Sequence, residues 1–189
     1  YGGNSRKIKN YLQISNKIYL SYHSKSNDRI GYFKTELIKP ISPIYFDDKA
    51  KIICLNSMSS ILKAILPENQ PYKSIYKSLD DLLSNFKEKN WSMSYLYWEI
   101  NLIKQLGYGF SIDSKKYNNS PKDKVVDVKL DDINYKIPSF LIFKKLESPN
   151  IKDICNGLNF TRNLMENKFF IPNNIRFPYS RKLLEKIFL

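Results

Sequence analysis

The segment that most constrains this chain is Trp91 to Asp113, WSMSYLYWEINLIKQLGYGFSID. At helical spacing Tyr95, Trp98, Leu102 and Leu106 form one stripe, flanked by Leu96, Ile100 and Ile103. Glu99, Asn101, Lys104 and Gln105 take the remaining circumference. That pattern predicts an amphipathic helix with a wide apolar face, which other helices must cover. Gly107 stands where a helix stop calls for positive φ, and Gly109 permits a second tight turn. The segment is an anchor for packing, and nothing catalytic follows from it.

Around that anchor the chain divides by character. Asn16–Tyr22 and Ile30–Lys39 read as two strands joined by a polar turn, and they should pair. Two strands cannot close a barrel. The expectation is therefore either a small ribbon on a helical body or a chain whose first strands lie upstream. Pro40 and Pro43 mark a junction. After it, a helix capped by Asp47 or Asp48 carries Ile52, Ile53, Leu55, Met58, Ile61, Leu62 and Ile65, and stops at Pro67. A second helix runs from Pro71 to about Lys89, and the anchor helix from Ser92 to Leu106 is the third. Ser114–Lys124 is a polar loop, and Val125–Ile137 a hairpin turning at Asp131-Asp132. A short apolar turn from Pro138, a helix over Ile151–Phe170 and a final amphipathic helix over Tyr179–Leu189 complete the α+β reading.

A formal net charge of +13 points to a polyanionic partner. The 26 lysines stand beside many Ile, Asn and Tyr, residues of A/T-rich codons, so part of that excess reflects composition. The five arginines are the firmer signal, and Arg162, Arg176 and Arg181 fall in the last quarter together with Lys168. Such side chains suit bidentate contact with phosphate or carboxylate. At the other end, Arg6, Lys7 and Lys9 follow a Gly-Gly turn in what reads as a basic loop, and Lys17, Arg29 and Lys34 lie on or beside the strand pair.

Several chemistries have little to draw on. Cys54 and Cys155 form no CxxC and read as buried free thiols rather than a disulfide or metal pair. His23 is the one histidine, so a Ser-His-Asp triad is poorly supplied. No run approaches the roughly 18 apolar residues that span a bilayer, which reads as a soluble, cytoplasmic chain without membrane contact. Asp127, Asp131 and Asp132 are a candidate carboxylate cluster, although strand-and-turn aspartates are ordinary and no further ligands lie nearby.

The order of pieces resembles the RecO family of recombination mediators, and its α-proteobacterial branch most closely. The likeness rests on the Gly-Gly-basic loop, the strand pair ending FKTELIK, three helices and the motif Tyr-x-x-Trp-Glu-x-x-Leu-x-x-x-Leu-Gly-Tyr-Gly over Tyr95–Gly109. The loop, the hairpin and the terminal SRKLLEKI continue it, so that it covers Gly2 to Leu189. It implies an OB-fold, of which residues 1–42 are the remainder, followed by a helical domain over residues 43–189. Family members carry further barrel strands ahead of the Gly-Gly loop, so the barrel here is expected to be incomplete. Some members bind zinc through four cysteines after the anchor helix; the loop here has none, so no zinc and no other cofactor is expected.

The resemblance further implies a binding protein rather than an enzyme. Family members bind single- and double-stranded DNA and anneal complementary strands; with RecR they load RecA onto strands coated by the single-strand-binding protein SSB. No GxxxxGK[ST] segment is present, in keeping with annealing that needs no nucleotide hydrolysis. DNA contacts are expected from Arg6, Lys7, Lys9, Lys17, Arg29 and Lys34. The acidic, apolar tail of SSB is expected in a helical-domain groove rimmed by Arg162, Lys168, Arg176 and Arg181. Two alternatives remain at this stage: a generic basic OB-like nucleic-acid binder, and a Mg²⁺ nuclease using Glu99 with Asp127, Asp131 and Asp132.

Overall fold

Backbone pairing follows the sequence's own punctuation. The computed structural model describes residues 6–25, 30–110, 125–143 and 149–189, with the side chains of Arg6 and Lys7 outside that description. The Gly-Gly turn and the loop over residues 114–124 therefore lie outside the described residues. The chain groups into two compact units, Tyr1–Lys63 with Pro178–Leu184 and Ala64–Phe177 with Glu185–Leu189. The proline junction at residues 42–43 falls inside the first unit. Just ahead of it Asn16 Oδ1 accepts from the Ile41 and Ser42 amides at 2.7 and 3.3 Å.

In the first unit, Arg6–Lys9 form one helical turn, α1, where the sequence suggested a loop. Ile8 closes it by accepting from the Leu12 amide at 2.9 Å. Strands β1 (Lys17–His23) and β2 (Tyr32–Lys39) pair antiparallel, with Tyr22 opposite Phe33 and His23 opposite Tyr32. Most of their side chains are exposed, and among the described residues no third strand pairs with this ribbon. Asp48 is the cap of helix α2 (Lys49–Ile65), accepting from the Lys51 amide at 3.0 Å. Ile53, Leu55, Met58 and Ile61 are buried on it as the pattern required, while Ile52, Leu62 and Ile65 are only half-buried. The last helix, α7 (Tyr179–Ile187), begins in this unit, where the Ser180 hydroxyl meets Asn56 O at 3.4 Å and Ser60 Oγ at 3.2 Å.

The second unit holds the anchor. Helix α3 (Lys73–Ser84) ends one turn before the expected Lys89, with the Asn85 amide bonded to the Asp81 and Leu82 carbonyls. Phe86 then turns inward, fully buried, with its ring 5.3 Å from Trp91 at the start of α4 (Trp91–Ile103). A wide turn over Lys104–Tyr108 ends α4, with Gly107 at φ 89°, the left-handed conformation expected of it. Strands β3 (Val125–Leu130) and β4 (Ile133–Pro138) form the second hairpin. Its two-residue turn has Asp131 and Asp132 both at positive φ, as tight hairpins demand. Val126, Val128, Tyr135 and Ile137 point into the core, and Lys129 and Lys136 point outward.

Helix α5 (Ser139–Phe143) is short and apolar. Helix α6 (Ile151–Met165) opens on a reciprocal capping box between Asn150 and Asp153, and a wider turn carries it to Phe170. It approaches α4 closely at Gly157, where an added Cβ would lie 2.6 Å from Leu96 Cδ1. Both cysteines are buried and neither forms a disulfide, as the spacing suggested. With its helical body and two hairpins the fold is α+β.

Candidate functional site

Of the basic residues singled out near the N-terminus, Lys17 lies on β1 and Lys34 on β2. Lys9 and Lys34 are exposed and Lys17 is half-buried; Arg29 lies outside the described residues. Lys34 is loosely paired with Glu36 at 3.5 Å, an exposed contact of little energetic weight. Lys34 stands directly opposite Ser21, and Lys17 opposite Lys39.

The four residues expected to rim a groove do not act as one. Arg181 is completely buried, so it is an interior residue and no part of an exposed rim. Its helix position carried the signal: Arg181 is one turn before Leu184 and Glu185, both buried, and so belongs to the inward stripe of α7. Arg162 bonds Glu185 at 3.3 Å and Asn159 at 3.5 Å, which fastens the end of the chain to α6. Lys168 pairs with Asp131 at the hairpin turn, and Arg176 is exposed.

An apolar cavity instead opens elsewhere in the second unit, with a volume of about 690 Å³. Ile137 of β4, Leu141 and Ile142 of α5, Phe160 of α6, and Ile100 of α4 supply its apolar walls. Tyr97 and Asn101 line it from α4 and Lys104 from the turn that follows, and Phe110 stands near Lys104, whose ammonium is 5.8 Å from that ring. Tyr97 donates to the Phe140 carbonyl at 3.1 Å, which holds α5 against α4, and burial raises its phenol pKa. Sequence reasoning assigned Asn101 and Lys104 to a solvated face. The signal for a cavity was their spacing with Tyr97, which puts all three on a second stripe of the anchor helix. Among the described lining residues Lys104 is the charged side chain, and it suits a ligand joining apolar bulk to an anionic end.

The carboxylates proposed for metal work do not converge. Glu99 is fully buried rather than solvent-facing, and accepts from Tyr95 and Thr161 hydroxyls at 2.5 Å each. Asp131 is held by Lys168 and Asp132 by Lys129. Among the described residues no three His, Cys, Asp or Glu side chains are grouped to hold a metal. Among them, too, no helix is long and apolar enough to cross a membrane.

Residues 47–123, which include α2, α3 and α4, match the family described as recombination protein O C terminal. The DNA repair protein RecO of Ehrlichia chaffeensis is 33% identical over 118 residues, covering 61% of this chain and 48% of that protein. The RecO protein of Wolbachia pipientis wMel is 28% identical over 194 residues, covering 92% of this chain and 80% of the relative. The RecO protein of Anaplasma marginale is 32% identical over 116 residues, again 61% of this chain and 48% of the relative. The chain thus spans about half the length of some curated relatives it matches and four-fifths of others. No solved structure matches it. By the match to the family's C-terminal region and by these α-proteobacterial relatives, the chain is similar to the RecO DNA repair proteins.

Proposed function

We propose that the chain serves DNA repair as a non-enzymatic recombination mediator. In this reading it binds single- and double-stranded DNA, anneals complementary strands, and assists, with RecR, the loading of RecA on SSB-coated DNA. Basic side chains of the ribbon region, Arg6, Lys7, Lys9, Lys17, Arg29 and Lys34, neutralise phosphates and lower the repulsion between two strands. Base pairing then supplies the driving free energy, so no bond-making residue is required.

The observation that carries the partner half of this reading is the cavity bounded by α4, β4, α5 and α6. Its apolar walls and the Lys104 ammonium suit a peptide tail that ends in apolar side chains and carries carboxylates. The SSB tail therefore fits this cavity better than a rim of Arg162 and Arg181, one committed to Glu185 and the other buried.

The test is annealing of two complementary oligonucleotides coated with the cognate SSB. The mediator reading expects this chain to accelerate annealing, and the SSB tail peptide added in excess to suppress that acceleration. No acceleration on coated strands, with normal acceleration on bare ones, would reduce the protein to a generic basic nucleic-acid binder.

A further inference from the structure

The two faces of the β1–β2 ribbon differ in chemistry. Directly opposed residues share a face, so Ile18/Leu37, Leu20/Thr35 and Tyr22/Phe33 make one, and Tyr19/Glu36, Ser21/Lys34 and His23/Tyr32 the other. The first face is apolar apart from Thr35, whose hydroxyl shares a 2.7 Å hydrogen bond with that of Tyr11. Such a surface packs against protein.

The second face alternates rings with polar groups. The His23 and Tyr32 rings stack at 5.5 Å with 23° between planes. Tyr19 is 57% exposed and Tyr32 62%. Lys34 stands between the two aromatic positions, opposite Ser21. A solitary exposed ring is unremarked on a protein surface, but rings at both ends of one strand face with an ammonium between them form a pattern. Tyr19 and His23 are about 13 Å apart along the strand, the rise of roughly four stacked nucleotides.

We propose that this second face is a stacking platform for the bases of single-stranded DNA. Tyr19 and the His23–Tyr32 pair take bases on their ring faces, and Lys34 takes the phosphates between. Charge agrees with that occupant: the described part of the ribbon carries Lys17, Lys25, Lys34 and Lys39 against Glu36. The inference rests on the DNA-binding reading above and adds strand selectivity to it. A duplex hides the ring faces of its bases, whereas a single strand offers them. Bases held by their faces also keep their pairing edges free, which is what an annealing protein needs from the strand it carries. Stacking is tolerant of sequence because every base has a π-face.

The experiment is fluorescence-anisotropy titration of the full chain with three labelled probes of one length: oligothymidylate, the same backbone with abasic tetrahydrofuran units, and a duplex. Oligothymidylate should bind about tenfold or more tighter than the abasic strand. Tyr19→Ala and Tyr32→Ala should each cost about tenfold on oligothymidylate while changing the abasic titration by under about twofold. Tyr32→Phe, which keeps the ring, should bind as the unaltered chain does. Equal affinity for the thymidylate and abasic strands, or equal losses on both from the alanine variants, overturns the platform and leaves phosphate-driven binding standing. Failure to bind any probe removes the platform and the DNA-binding reading together.

Discussion

Thr161 donates a 2.5 Å hydrogen bond to Glu99 across the contact between α6 and α4, and both side chains are fully buried. A carboxylate in that position is tolerated because hydroxyls meet it: Tyr95 donates to its other oxygen. Thr161→Val removes one donor while preserving shape, and should destabilise the fold by about 1–3 kcal/mol. Urea denaturation midpoints of Thr161→Val and Thr161→Ser would check this. The serine variant, which keeps the hydroxyl, should lose markedly less.

Gly157 sets the distance at which that bond forms. A Cβ there would lie 2.6 Å from Cδ1 of Leu96, which is itself fully buried and would have to shift. Gly157→Val should cost about 1–3 kcal/mol through overpacking, against the usual gain on replacing a helix-interior glycine. A stability unchanged or raised in thermal melts would mean that α4 and α6 are not this close.

Arg162 and Arg181 should behave differently although both are arginines on helices. Arg181→Ala removes a fully buried charged side chain and should lower stability by about 3 kcal/mol or more. Arg162→Ala should cost less, because Arg162 is partly exposed, and should leave binding of an acidic apolar tail peptide nearly unchanged. Lys104→Glu should weaken that peptide by roughly tenfold while the melting temperature stays put, since a charge-assisted contact at the cavity lip becomes repulsive. Isothermal titration with the peptide, beside calorimetric melts, separates the three.

Lys34→Ala should reduce the slope of log affinity against log salt for single-stranded DNA by about 0.7, the contribution of one neutralised phosphate. An unaltered slope would take Lys34 out of the contact surface.

Burial raises the Cys155 thiol pKa; Glu185 adds to that and Arg162 opposes it. Burial alone raises the Tyr97 phenol. For both groups the folded state holds its proton to higher pH than the unfolded chain. Their contribution to stability is therefore complete below the unfolded pKa values, about 8.5 for the thiol and about 10 for the phenol, and declines as pH rises past them. Urea midpoints should fall from pH 8 towards pH 11, and Cys155→Ala should remove the earlier part of that fall. Native Cys155 should react with a thiol reagent far more slowly than the denatured chain.

Local pattern determined the elements of this protein. The periodicity of α4, the cap at Asp48, the stops at Gly107 and Pro67, and the Asp131-Asp132 turn are each written in a few neighbouring residues, because helix and hairpin geometry depends on neighbours. The motif from Tyr95 to Gly109 likewise carried the likeness to RecO. What only the tertiary structure decided is which polar side chains are inside. Glu99 and Arg181 looked like solvent-facing charges, yet both are buried, because neighbours distant in sequence can satisfy a polar group that local spacing leaves stranded. The cavity is of the same kind: residues from α4, β4, α5 and α6 meet around it, and no one of those segments records the space that the others leave.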